Sequence, residues 1–301
     1  MSLSFRIVAL RIVALLVLLA TTPCACAQES DAQAQEQVRK FLDSLKYRSG
    51  SVAIGKAHAT LKLGEDFRFL DERDAQRVLH DLWGNPPDED VLGMLVPAGT
   101  SLLDEKESWV VVISHSDDGY VSDEEASKID YDKMMKDMQD GARESNPERE
   151  KEGYPAIQII GWATPPHYDQ GTNKLYWAKE LSFAGAGEHT LNYDIRVLGR
   201  GGYLSFNAVA GMHQLEMVKA SMPRVLGMAE YDAGQRYTDF DASTDKIAAY
   251  GIGALVAGAI AAKAGLFAKL LGLLIVFKKF VIVGFVAVAA GVRKFFTRSR
   301  S

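Results

Sequence analysis

From Ile247 to Val292 the chain is apolar apart from Lys263, Lys269, Lys278 and Lys279, and it closes on the basic run "RKFFTRSR". Such a stretch constrains everything before it, because a helix of about 20 apolar residues spans the hydrocarbon layer of a bilayer. The expectation is a membrane anchor of one or two helices over 246–292 and a basic tail over 293–301. Ile247 to about Ala268 can cross once, with Lys263 snorkelling to the interface. Leu270 to Val292 is long enough too, but its two central lysines cost about 5 to 7 kcal/mol on an insertion scale, close to what about fifteen strongly apolar residues return. The basic tail prefers the cytoplasm, which favours one net crossing; a hairpin with both ends outside is the alternative.

The other end points the same way. Arg6 and Arg11 precede an apolar run from Ile12 to Ala20, and Ala25-Cys26-Ala27 supplies a small-residue cleavage pattern, so residues 1–27 are expected to be an export signal. Lipidation fits less well, since Pro23 precedes Cys24 and also stands three residues before Cys26, where a leucine-like residue belongs. Cleavage after Ala27 removes both cysteines, leaving no thiol for a disulfide, a metal or a nucleophile. The nine Lys and Arg from 246 onward and the two Arg of the signal carry no acid beside them. Removing those eleven positive charges from the formal −5 leaves −16 on residues 28–245. So acidic a domain is repelled by phosphate backbones, and nucleic acid is not expected as a partner.

Residues 28–49 form a polar lead-in, and 50–245 hold the extracytoplasmic domain, with possible halves 50–140 and 153–240. "GSVAIGKAHATLKL" suggests two short strands about a turn, extended by "FRFL". A helix capped by Asp71 follows, with Ala75, Val78, Leu79 and Leu82 in one stripe and Gly84, Pro86 and Pro87 ending it. "SWVVVI" has the unbroken apolarity of a strand buried on both faces. Ser114 to Glu125 partly matches a calcium loop around Gly119, but Ser114 and Ser116 stand at ligand positions and the preceding element is a strand. A plain turn accounts for the same residues, with Ser122 capping a helix and Glu125 closing the capping box. Met134, Met135 and Met138 are expected in the core of that helix, and "GARESNPEREKEGYP" is expected to be a charged loop. Period-two segments then predict an antiparallel meander with one face packed and one wet. Leu175, Trp177, Leu181 and Phe183, then Leu191, Tyr193, Ile195 and Val197, then Leu204, Phe206 and Ala208 form the apolar sets. A helix from about Met212 to Leu226, striped by Leu215, Val218, Met222 and Val225 and kinked at Pro223, should cover the packed face. The class is α+β: antiparallel sheet with segregated helices, followed by the anchor.

Chemistry is sparse. No H-E-x-x-H, Cys/His cluster or G-x-S-x-G elbow occurs, so neither a metal nor a cofactor is expected. His213 and Glu216 are two ligand types three residues apart, which is not a site. "GIGALVAG" imitates a dinucleotide glycine pattern without its context, and Gly253 with Ala257 suits helix-to-helix contact instead. Two groups remain. "GWATPPHYD" places Trp162, His167, Tyr168 and Asp169 about a Pro-Pro turn as a candidate binding loop, within which His167 and Asp169 could do acid-base work. Glu180, Asn192, Asp194 and Arg196 form a candidate polar sheet face, on which cross-strand ion pairs are each worth well under about 1 kcal/mol.

The phrases "WGNPP", "DGYVSDEEASKIDYD", "IIGWATPPHYD", "KLYWAKEL", "LNYDIRVLGRGGYL" and "DKIAAYGIGALVAGAIAAKAGL", in that order from about Gly50 to Lys279, resemble an uncharacterised bacterial family of membrane-anchored proteins, a domain of unknown function. The resemblance implies an exported domain with a C-terminal anchor, and it implies no reaction, ligand or catalytic residue. The expectation is a periplasmic α+β domain tethered to the inner membrane of a Gram-negative-type bacterium, binding an envelope protein or a small ligand. The alternative is an envelope hydrolase or transferase using His167 and Asp169.

Overall fold

The computed structural model describes residues 36–83, 85, 88–104 and 108–257. The export signal, Gly84, Pro86, Pro87, the stretch from 258 onward and the basic tail lie outside the described residues. Those described fall into two compact units, 36–45 and 46–257. The first holds a helix over 36–43 in the polar lead-in. Among the described residues no helix is long and apolar enough to cross a membrane.

The larger unit is α+β. Strands β1 (Ser51–Ile54) and β2 (Ala59–Lys62) form a hairpin about a 3-10 turn. Next come β3 (Phe67–Asp71), β4 (Val91–Pro97), β5 (Val110–Ser116) and the short β6 (Tyr120–Ser122). The later half supplies β7 (Ile157–Asp169), β8 (Lys174–Phe183), β9 (Thr190–Leu198), β10 (Tyr203–Gly211), β11 (Ala229–Tyr231) and β12 (Ile247–Gly251). The helices are α1 (Glu72–Gln76), which runs on into a π-helical turn at Arg77–Leu82, α2 (Tyr131–Lys151), α3 (Leu215–Met228) and α4 (Ile252–Ala257). Seven strands make one antiparallel sheet in the order β3-β4-β5-β10-β9-β8-β7. Because β10 pairs with both β5 and β9, and β11 joins β2, the two expected halves are not separate bodies.

Asp71 caps α1 as expected, accepting from the Asp74 N–H at 3.1 Å. The meander is also present, but its inner strands β9 and β10 have no wet face, and exposed residues are confined to the β7 edge. Leu191, Tyr193, Ile195 and Val197 of β9 join Leu204, Phe206 and Ala208 of β10 on the first face, under α3 and the β1-β2-β11 sheet. Leu175 and Trp177 of β8 point to the second face, because the register sets Trp177 opposite Asp194 and Ala178 opposite Tyr193. The apolar sets of neighbouring strands are therefore half a period out of step, and every residue of β9 is buried. Residues opposite one another across a ladder share a face, so each face has its own core.

The second face is closed by α2 and by the β6–β12–α4 layer. The segment expected as a charged loop is the second half of α2, which begins at its Asp130 cap rather than at Ser122 and passes through Pro147. Its polar residues serve as tertiary anchors. Asn146 accepts from the Ile157 N–H at 2.8 Å and donates to the Ile157 carbonyl at 2.9 Å, as a neighbouring strand would, while Gln139 donates to the carbonyls of Ile159 and Ile160. Buried Arg149 closes the helix by donating to the Pro155 carbonyl. Met135 and Ala142 face Ile157, Ile159, Leu181 and Phe183, the packing role expected of the methionines.

The start of the expected anchor is also corrected. Ile247–Gly251 is a strand paired in parallel with β6, and Ile252, Leu255 and Val256 are buried against Leu175, Trp177 and Leu198. Each such side chain is worth about 1.5–3 kcal/mol when fully buried, so the chain belongs to the globule as far as residue 257. The acidic loop between β5 and β6 is the seat of this segment. Gly119, at φ +112°, lies so close that a Cβ would come within 2.7 Å of the Lys246 carbonyl and 2.9 Å of the Ala248 nitrogen.

Two substitutions test this packing by thermal unfolding. Gly119→Ala combines a disfavoured φ with a backbone clash and should destabilise by at least about 1–3 kcal/mol. Gly141→Ala, in the interior of α2 with open space at its Cβ, should stabilise by about 0.5–1 kcal/mol.

Candidate functional site

The candidate binding loop is not a loop. "GWATPPHYD" lies wholly within β7, the last strand of the sheet, where two prolines are tolerated because the outer edge needs no ladder donors. Three register shifts along β7 turn its side chains to opposite faces. Trp162 and Tyr168 point into the second core: the Trp162 indole donates to the Tyr131 carbonyl at 3.3 Å and the Tyr168 hydroxyl to Asp123 at 2.8 Å. His167 turns the other way and lies against Tyr176, with ring centroids 5.1 Å apart. The Asp169 carboxylate accepts from the Thr172 hydroxyl at 2.7 Å and the Gly171 N–H at 2.9 Å, building the β7–β8 turn. Those bonds, the Thr172 hydroxyl first, hold its pKa below the usual carboxylate range.

The polar sheet face is divided as well. Glu180 points to the first face, where its carboxylate meets His189 Nδ1 at 2.5 Å. Asn192, Asp194 and Arg196 stand on the second face and are 1%, 4% and 8% exposed, which corrects the expectation of a solvated surface. With Lys179 of β8 and Asn207 of β10 they form a buried network. Asn192 donates to Asn207 at 3.1 Å, and Asn207 donates to Asp194 Oδ1 at 2.9 Å. Arg196 reaches Asp194 at 3.2 Å and Lys179 reaches it at 3.3 Å. The Arg196 guanidinium lies between two rings, 5.1 Å from the centre of Trp177 and 5.7 Å from that of Tyr203. Arg196 Nε, Asn192 Oδ1 and Trp177 Nε1 have no hydrogen-bond partner among the described residues. Two cations around one carboxylate leave a net charge of +1 inside an acidic chain. Burial pushes the Asp194 carboxyl up, but Lys179, Arg196 and the Asn207 amide outweigh it and the pKa is lowered.

The strap formed by residues 246–257 adjoins this network. The Tyr250 hydroxyl donates to Asp118 Oδ2 at 2.6 Å, Ser116 donates to the same oxygen at 2.7 Å, and the Gly253 N–H donates to Glu125 Oε1 at 3.2 Å. A Cβ at Gly251 would lie 2.5 Å from Glu125 Oε1, so a larger residue there would push the carboxylate aside. Gly253 likewise packs on Glu125 and Ile129 within the domain, and its helix α4 meets α2. Tyr120 stacks between Tyr237 and Phe240, and its N–H donates to the Lys246 carbonyl at 2.9 Å. The acids that suggested calcium are thus acceptors for the strap, and among the described residues no group of three or more His, Cys, Asp or Glu could hold a metal. His213 meets Glu188 rather than Glu216.

One feature carried no sequence signal. The π-helical turn Arg77–Leu82 borders an open cleft of about 600 Å3, lined among others by Lys56, Glu72, His80 and Asp81. A π turn differs from an α turn by one residue of register, which apolar periodicity does not distinguish. Lys56 and Glu72 pair at 2.9 Å at this cleft, and His80 Nδ1 bonds the Asn85 carbonyl at 2.8 Å.

The family model described as "Protein of unknown function (DUF2167)" matches residues 46–289, well over half of the 301 residues, and the chain belongs to that family. No curated protein matches it. The solution structure of cyanobacterial PsbP (CyanoP) from Synechocystis sp. PCC 6803 is similar at 14% identity, covering 63% of this chain and 93% of that one with a TM-score of 0.33. LpqN of Mycobacterium tuberculosis, described as involved in cell envelope biogenesis, is 12% identical over 64% and 95%, with a TM-score of 0.29. The Saccharomyces cerevisiae Ran-binding protein Mog1p is 10% identical over 60% and 84%, with a TM-score of 0.28. Likenesses of this strength say nothing of what the chain does.

Asp194 gives the test of the buried network. Its folded pKa is lowered, so its contribution is fully present above the unfolded value near 3.9 and is lost as pH falls through the folded value. Asp194→Asn strands Lys179 and Arg196, and should destabilise by about 3–5 kcal/mol at neutral pH. In thermal unfolding from pH 6 to 2, the gap between wild type and variant should narrow on the acid side. A constant gap would contradict a charged, paired Asp194.

Proposed function

We propose that this family member is a membrane-anchored binding module of the bacterial envelope, with its main domain in the periplasm, its anchor in the inner membrane, and another envelope protein as partner. One observation carries the reading. The globule extends through Ala257, and the next residues are the apolar stretch that runs to Val292, so no linker separates the domain from its expected anchor. A domain mounted in this way presents its surfaces at a set height above a bilayer, which suits a docking role. The −16 charge of residues 28–245 keeps it off anionic headgroups and favours a partner with a basic surface. Against the hydrolase reading, the Asp169 carboxylate is engaged in its own turn and His167 lies against Tyr176.

Two experiments test this. Protease added to spheroplasts should degrade the domain, and survival of the domain while a periplasmic control is cleaved would overturn the topology. The double variant His167→Ala, Asp169→Ala should keep its melting temperature within a few degrees and keep its crosslinked partner. Complete loss of phenotype with the fold and the partner retained would favour an enzyme instead.

A further inference from the structure

The strap packs on the two rings that flank the polar network, and strap and network have opposite preferences for water. Its apolar side chains, Ile252, Leu255 and Val256, share a core with Trp177, and Tyr203 packs against that same core. Trp177 and Tyr203 are the rings that hold Arg196. Docking therefore buries apolar surface, which favours the closed state. By seating on the rings beside Arg196 it also limits hydration of a network in which Arg196 Nε, Asn192 Oδ1 and Trp177 Nε1 have no partner among the described residues, which disfavours it. The hold on the strap is local. Among the described residues β12 pairs with β6 alone, in a two-stranded parallel ribbon whose register shifts between Ile247 and Gly251. Other polar ties among the described residues include the Tyr120–Lys246, Tyr250–Asp118, Tyr250–Ser116 and Gly253–Glu125 bonds and a 3.4 Å contact of Lys246 with the Asp117 carbonyl.

We propose that residues 246–257 are a releasable latch: load on the apolar segment that follows them frees Tyr250 from Asp118 and Gly253 from Glu125, lifts Ile252, Leu255 and Val256 off Trp177, and admits water to the Lys179–Asp194–Arg196 network. The latch is independent of what the domain binds; only the source of the load rests on the anchor reading.

The experiment uses the full chain in detergent micelles, with Cys24→Ser and Cys26→Ser removing the native thiols and one reporter cysteine added. Ala248→Cys reports on the strap, and Ala210→Cys, on β10 under α3, reports on the other core. Maleimide labelling at 248 should be at least tenfold faster in Glu125→Ala, Tyr250→Phe than in the parent, with labelling at 210 unchanged. An unchanged rate at 248, or equal acceleration at both positions, overturns the latch. Replacing the network by Lys179→Met, Asp194→Leu, Arg196→Met removes the gain from hydration and should slow labelling at 248 about tenfold relative to the parent. An unchanged or faster rate overturns the coupling between network and strap. If that triple variant does not fold, Asp194→Asn, which leaves Lys179 and Arg196 unpaired, should speed the same label with labelling at 210 unchanged, and an unchanged rate at 248 overturns the coupling equally. Flotation of the parent with liposomes tests the anchor separately, so its failure leaves the latch result intact.

Discussion

The central strands β9 and β10 of the seven-stranded sheet are buried on both faces and need two covers, and most of this structure follows from that need. The constraint arises in one register. Trp177 stands opposite Asp194 and Ala178 opposite Tyr193, so the apolar set of β8 turns away from the apolar set of β9. Neither face can then be left wet. The first is covered by α3 and the small sheet, whose apolar stripes match it directly. The second mixes Leu175 and Trp177 with Asn192, Asp194 and Arg196, and it is covered by α2 and the strap.

The second cover explains features that are odd in isolation. An acidic stretch with a central glycine suggests a cation, and here the carboxylates of Asp118 and Glu125 meet a hydroxyl and a backbone N–H of the strap. Carboxylates accept from such donors strongly even where no metal is involved. Gly251 and Gly253 of "GIGALVAG" serve the same contact, leaving room for the Glu125 carboxylate against the strap backbone. Acid and glycine stretches more than 100 residues apart in sequence are thus two halves of one joint.

Much of this architecture is legible from local pattern. Asp71, the SWVVVI strand, the meander and the α3 stripe all follow from spacing and capping, because those signals act within a few residues. What pattern missed depends on partners distant in sequence. Asn146 and Gln139 look like loop residues until β7 supplies the backbone they bond. Asn192, Asp194 and Arg196 alternate as a wet face does, and only the register with β8 and the presence of a cover show otherwise. Aromatic, imidazole and carboxylate groups about two prolines suggest a loop at 161–169, but the prolines equally suit an edge strand. Of the candidate site residues, the structure joins Asn192, Asp194 and Arg196 with Lys179 and Asn207, and it separates Glu180, His167 and Asp169 from them.

Residues 246–257 are part of the globule, seated on the acidic loop. Amide hydrogen exchange on the full chain resolves that seating at two positions, the N–H of Tyr120, bonded to Lys246, and that of Gly253, bonded to Glu125. The account predicts that both exchange slower than an unprotected amide by about a hundredfold or more. Exchange at the unprotected rate at both, with β9 and β10 still protected, would show a second face closed by something other than the strap and would contradict the account.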